Sequence, residues 1–184
     1  MEIKCSDDIL CNMLSDPKRR EEGFRILMKK YGHALYWHIR RIVVSHDDAE
    51  DVFQETCIRI FRGLNHFNGD SSLLTWMYKI ATNESLQHLR RQTRFYKSID
   101  SMAETLTDCL MAESAYDADE TEVIFQKALL TLPTQQRIAF NLKYYSNMSY
   151  ADISTITGKN IGTLKTNYHY ATEKIREYIK EHAR

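Results

Sequence analysis

The stretch Leu132–Ile179, LPTQQRIAFNLKYYSNMSYADISTITGKNIGTLKTNYHYATEKIREYI, carries the most specific structural pattern in the chain. Pro133 suits a first helical turn, where its missing N–H costs little, and Gln136–Tyr145 continues as a support helix with Ile138, Leu142 and Tyr145 on one side. After Ser146-Asn147, Ser149 opens an S-x-x-D start with Asp152, resembling a capping box with Asp in place of the usual Glu or Gln. This predicts a short helix over Tyr150–Thr157 that buries Ile153 and Ile156. It stops at Gly158, the residue type that tolerates a left-handed turn. A second helix beginning near Asn160 places Ile161, Leu164, Tyr168, Ala171, Ile175 and Tyr178 on one stripe, at spacings of three and four. A short helix, a glycine turn, the small Ser154 before it and the apolar Leu164 after it meet the requirements of a helix-turn-helix, and decide against an ordinary helical hairpin. On the opposite face, Thr163, Lys165, Thr166, His169 and Tyr170 are placed to reach base edges and phosphates in a major groove.

The same three-and-four periodicity runs through most of the 184 residues, which include only 6 Gly and 2 Pro, so the chain reads as all-α. Its 27% charged and 43% hydrophobic residues are those of a globular protein. No run approaches the roughly 20 apolar residues of a membrane span, and the start MEIKCSDDIL lacks a secretory layout. A cytoplasmic protein is the expectation. Cys5, Cys11, Cys57 and Cys109 are scattered, with no C-x-x-C pair and no histidine at ligand spacing, which points to reduced thiols rather than a metal site. Phosphate-loop and hydrolase motifs are missing, so neither an enzyme nor a cofactor or small-molecule substrate is expected.

The formal net charge of zero hides a segregation. Between Lys97 and Lys127 there is no basic residue but eight acidic ones, which leaves 25 bases against 17 acids elsewhere. The pattern predicts two mildly basic helical domains, 1–97 and 123–184, joined by a flexible acidic linker over 98–122.

In the amino-terminal half, Asp47-Asp48-Ala49-Glu50-Asp51 sets carboxylates at a helix amino end, where the dipole favours them. The helix continues over Val52–Leu64 with Phe53, Cys57, Ile60, Phe61 and Leu64 as its buried stripe. Asp51, Gln54 and Glu55, at i, i+3 and i+4, share another face. Next, Asn68-Gly69-Asp70 signals a turn and Ser71 or Ser72 caps a further helix, which carries Trp76, Tyr78, Ile80 and Leu86 and ends in the basic Arg90-Arg91 with Arg94. Aromatic rings beside a polar turn and a basic helix end suit single-stranded DNA, whose bases stack while its phosphates meet arginines.

At this point the sequence resembles a known family. Ala49–Asn83, AEDVFQETCIRIFRGLNHFNGDSSLLTWMYKIATN, is similar to region 2 of extracytoplasmic-function (ECF) sigma factors of the sigma-70 family, and Leu132–Ile179 is similar to their region 4. The two blocks come in the expected order with the expected spacer. The resemblance implies a detachable subunit that brings core RNA polymerase to particular promoters. It implies that Asp51, Gln54 and Glu55 face the clamp helices of the largest polymerase subunit. It also implies that Phe67, Asn68, Gly69, Asp70, Ser71 and Ser72, with Asn83, hold a base flipped from the non-template strand of the minus-ten element, beside the basic Arg90 and Arg91. The carboxy-terminal helix-turn-helix would then read the minus-thirty-five element, with Lys165, Asn167 and Tyr170 standing where the family often has arginines. An anti-sigma factor, often membrane-anchored, is a further implied partner.

Two other readings compete. A helix-turn-helix regulator that binds DNA without joining the polymerase needs no Asp51, Gln54, Glu55 face, whereas a sigma factor needs it to dock. An enzyme would have to gather its scattered Cys and His residues across a flexible tether.

Overall fold

The computed structural model describes residues 7–95 and 120–182, and among them all regular structure is helical. Five elements build the amino-terminal body: α1 (Asp7–Ser15), α2 (Arg20–Val43), α3 (His46–Gly63), a 3₁₀ turn (Leu64–His66) and α4 (Leu73–Phe95). The carboxy-terminal body consists of α5 (Glu120–Leu130), α6 (Thr134–Tyr144), α7 (Tyr150–Thr157) and α8 (Ile161–His182). Most of the acidic segment expected as a linker, 98–119, lies outside the described residues, and α5 begins at Glu120, inside its expected end.

Helix α1 was not anticipated from the sequence. It buries Leu10, Met13 and Leu14 against α2, and Gly23 permits the close crossing, since a Cβ there would stand 3.1 Å from that of Met13. Helix α2 supplies Leu27, Leu35, Ile39 and Ile42 to the core, which α3 completes with Ile60, the 3₁₀ turn with Leu64, and α4 with Met77 and Ala81. Each fully buried Leu, Ile or Met among these is worth about 1.5–3 kcal/mol. The turn between α2 and α3 is tight. Val44 has φ 71 and ψ −43, and the Ser45 N–H donates to the Val43 carbonyl across 3.0 Å, a γ-turn that is rare for a β-branched residue. Such strain costs on the order of 1–3 kcal/mol and persists here because Val44 is buried. Ser45 then caps α3 by accepting from the Asp48 N–H.

The buried line of α3 differs from the expected one. Val52, Thr56 and Ile60 face the core, with Phe53, Cys57 and Phe61 half-buried beside them. A buried threonine is tolerated because its hydroxyl donates back to the Val52 carbonyl at 2.7 Å, leaving its methyl to pack.

In the carboxy-terminal body Pro133 stands just before α6 rather than inside it, with an extended ψ of 142. Ser149 caps α7 by accepting from the Asp152 N–H at 3.1 Å, and Gly158 ends it in the left-handed conformation, φ 68. Asn160 caps α8 through the Thr163 N–H at 2.7 Å. Leu164, Ala171 and Ile175 are buried as the spacing predicts, while Ile161, at the first residue of α8, stays 43% exposed.

The two bodies lie against each other. Ile138, Ala139, Leu142, Ile153, Ile156 and Leu164 join the same buried cluster as the cores of α2, α3 and α4. A separate cluster, Ala128, Leu129, Leu132, Phe140, Ala171 and Ile175, holds α5, α6 and α8 together.

Candidate nucleic-acid and polymerase interface

Asp51, Gln54 and Glu55 are all exposed on α3, together as their spacing predicts. Two links hold this face to α4. The Arg59 Nε donates to Glu55 at 3.1 Å and lies 2.9 Å from Glu84, whose side chain is only 10% exposed. Burial holds the Glu84 carboxyl above its ordinary range, and the Arg59 charge offsets only part of that rise. Nearer the start of α3, Asp48 lies 3.1 Å from His88 and accepts from the Gln92 side-chain amide at 2.8 Å. The α3 carboxylates thus stand on a braced helix and present acceptors outward, which suits a cationic protein surface.

Beside this face runs a cleft lined by Asp51, Glu55, Arg59, Glu84 and Arg91. An adjoining cleft is lined by Glu55, Arg59, Arg62, Ile80, Asn83 and Glu84. Asn83, singled out for DNA, therefore opens onto the same groove as Glu55, singled out for the polymerase. Arg62, exposed in that groove, escaped the sequence reading. Its signal was its position seven residues after Glu55, two helical turns along the same face.

The loop Phe67–Ser72 is built as a polar rim on an aromatic base. Asn68, Gly69, Asp70 and Ser72 are exposed, and half-buried Phe67 packs 5.2 Å from Trp76. Gly69 is required by its φ of 78, since no atom lies within 4 Å of where a Cβ would be. Trp76 in turn presses on the end of α3, where a Cβ on Gly63 would come within 2.9 Å of its ring. Ser72 caps α4 by accepting from the Thr75 N–H at 3.1 Å.

From there one face of α4 carries Ser72, Trp76, Lys79, Asn83 and Arg90, at steps of four, three, four and seven. Ser72 and Asn83 share that face but stand about 16 Å apart along the axis, at 1.5 Å per residue. The structure thus aligns the loop and Asn83 without bringing them together. Lys79, exposed midway, is a second cation that the sequence reading missed and that the 76, 79, 83 spacing reveals. Arg90 and Arg91 are exposed, Arg90 on this face and Arg91 towards Asp51.

On α8, Thr163, Lys165, Thr166, His169 and Tyr170 are all exposed on the side opposite buried Leu164, Ala171 and Ile175. The Thr166 hydroxyl donates to the Gly162 carbonyl at 3.0 Å, leaving its oxygen to accept. The Lys165 ammonium stands 5.9 Å from the Tyr150 ring centre, at the start of α7. Among the described residues no helix is long and apolar enough to cross a membrane.

Comparison with known proteins matches both bodies. Residues 27–95 fit the family described as Sigma-70 region 2, and residues 122–175 fit Sigma-70, region 4. The RNA polymerase sigma-H factor of Pseudomonas aeruginosa is 33% identical over 87% of this chain and 88% of its own. The ECF RNA polymerase sigma-E factor of Escherichia coli K12 is 29% identical over 98% of this chain and 97% of its own. Among solved structures, the sigma factor RpoE in complex with the anti-sigma factor NepR from Bartonella quintana superposes with a TM-score of 0.71 at 25% identity, covering 86% of this chain and 98% of that one. CnrH in complex with the cytosolic domain of CnrY gives 0.70 at 19% identity, covering 96% and 98%, a likeness of fold. With two region matches in the order its helices require, and a relative similar along most of its length, this chain belongs to the ECF group of sigma-70 RNA polymerase sigma factors.

Proposed function

We propose that the chain acts as an alternative sigma factor that docks on core RNA polymerase through Asp51, Gln54 and Glu55 and reads promoters with α4 and α8. The observation that carries this division of labour is the ridge on α4 from Ser72 to Arg90, which runs beside the carboxylate face of α3 and shares a groove with Glu55. Bases of a separated strand would stack or be pocketed at the Phe67–Ser72 loop over Trp76, while Lys79 and Arg90 meet its phosphates. Because Asn83 lies about 16 Å further along the same face, it would meet a different nucleotide from the one the loop holds. In the second body, Thr163, Thr166, His169 and Tyr170 contact base edges of the minus-thirty-five element and Lys165 contacts the backbone. The work is done in the cytoplasm, by binding and strand capture without a reaction of the chain's own. Relatives solved with anti-sigma factors support a partner of that kind here, one that withholds the protein from polymerase.

Run-off transcription with purified core enzyme on genomic fragments tests the reading, with the start sites mapped. Wild-type protein should produce a defined set of starts. The double variant Asp51→Ala, Gln54→Ala should keep its helicity, because both side chains are exposed, and lose both transcripts and core association. Wild-type affinity of that variant in a pull-down would remove the docking face.

A further inference from the structure

Glu84 is the one acidic residue that the fold buries among those described, 9% exposed on a turn of α4 where Ala81, Thr82 and Ser85 are buried outright. A carboxylate so placed requires a cation to stay charged. Arg59 of α3 supplies it, with its Nε 2.9 Å from the Glu84 carboxylate, and the same Nε donates to Glu55 at 3.1 Å. One guanidinium nitrogen is thus shared by two carboxylates, which stand within about 6 Å of each other, close enough for their charges to repel.

The sharing sets the charge of the groove beside the docking face. Its lining carries the carboxylates of Asp51, Glu55 and Glu84 and the guanidiniums of Arg59 and Arg91, while His88 is engaged by Asp48. Three anions against two cations leave the groove negative. Without the Glu84 charge the two signs would balance, and Arg59, four residues after Glu55 on the same helix, would neutralise Glu55 alone. A neutralised Glu55 attracts a cationic protein surface only weakly. With Glu84 in place, Arg59 still holds Glu55 through Oε1 and leaves its other oxygen to accept from a partner. A side chain held in one rotamer also loses less freedom when it docks.

This arrangement costs stability. Burial holds the Glu84 carboxyl above its ordinary range, Glu55 adds to the rise, and Arg59 and Arg91 only partly offset it. For an acid raised in the folded state, the stabilisation is complete below the unfolded value and is lost as the pH rises through the folded one. At neutral pH the charged Glu84 therefore destabilises the fold relative to its uncharged form. Packing alone would be served better by an uncharged isostere, so the charge points to work outside the fold.

We propose that Glu84 is a positioning residue for polymerase docking: by drawing off part of the Arg59 charge, it keeps Glu55 both anchored and available to a cation of the polymerase. The assignment rests on the docking role of Asp51, Gln54 and Glu55 given above. It is distinct from strand capture at the neighbouring Asn83, which is exposed, whereas the Glu84 carboxylate turns towards α3.

Glu84→Gln keeps the size and shape of the side chain and removes its charge. Affinity for purified core RNA polymerase is measured over a salt series for wild-type protein, Glu84→Gln, Glu55→Gln and the double variant, with thermal melts of each. Glu84→Gln should melt no lower than wild-type protein yet bind core about two- to fivefold more weakly, the range of one exposed charge pair, with a shallower salt dependence. In the Glu55→Gln background the further change at Glu84 should have almost no effect on affinity, because the acid through which it acts is gone. Wild-type core affinity in Glu84→Gln overturns the positioning role. So does a loss of equal size with and without the Glu55 carboxylate, or a loss that follows a lowered melting temperature. If Glu55→Gln itself binds core as wild-type protein does, the docking face falls and the positioning role with it. If Glu55→Gln binds weakly and Glu84→Gln does not, the docking face stands and the positioning role alone is refuted.

Discussion

His38 sits in the last third of α2 with 1% of its surface exposed, its Nε2 2.8 Å from the Thr82 hydroxyl and its ring 4.8 Å from that of Tyr78. Burial, with the charge of Arg41 adding to it, lowers its pKa from 6.5 to about 3. The folded state therefore refuses a proton that the unfolded chain accepts, so the stabilisation is complete above about pH 6.5 and is lost as the pH falls towards 3. Proton linkage between those two values gives a loss of about 2 kcal/mol at pH 5 and about 3 kcal/mol at pH 4 from this one group, a sizeable part of a typical domain's stability. The assay is urea unfolding followed by far-UV circular dichroism between about pH 7.5 and pH 5, for wild-type protein and His38→Gln. Glutamine keeps a polar group near Thr82 and has no proton to gain. The variant should be the less stable at neutral pH, and the gap should narrow by about 2 kcal/mol at pH 5 as wild-type protein loses its His38 contribution. Parallel loss in the two proteins would refute the reasoning, since His38 would then not be the group that titrates.

Asn83→Ala should weaken binding to single-stranded minus-ten DNA more than to duplex, because only an unstacked base reaches its cleft; equal losses would assign Asn83 another role. In α8, Thr166→Ala and His169→Ala should change the preferred sequence in a randomised minus-thirty-five library. Lys165→Ala should instead weaken binding to all sequences and reduce the salt slope by about one; unchanged preference in the first two would mean that this face does not read the promoter. Leu164→Ala, on the same helix but 1% exposed, should cost about 2–5 kcal/mol and lower the melting temperature. A melt unaltered by that change would contradict its place in the core.

What could be read in advance was whatever depends on neighbours along the chain. The bounds of α7, its Ser149 cap and the left-handed Gly158 follow from residues within a few positions of one another, and all three stand where the pattern put them. The exposed face of α8 follows equally from helical spacing once Leu164, Ala171 and Ile175 are assigned inward. Helix α1 was missed because nine residues give a short periodic signal, and its partner, the bare surface at Gly23, becomes visible only when the chain folds back. Polarity misled at Thr56, whose hydroxyl is satisfied within its own helix, and periodicity misled at Ile161, which begins α8 beyond its last packing contact.

By itself, then, the sequence determined the all-helical class, the helix-turn-helix and the sets of residues that share a face, because i, i+3, i+4 spacing and capping chemistry are local. Only the tertiary structure decided what those faces meet. Arg59 bridges Glu55 to Glu84, which is 29 positions further on, Asn83 opens onto the groove of Glu55, and Arg137 caps a helix that ends 94 residues before it. Such pairings depend on how whole helices cross, and that is set by the summed packing of side chains distant in sequence, which no local pattern records.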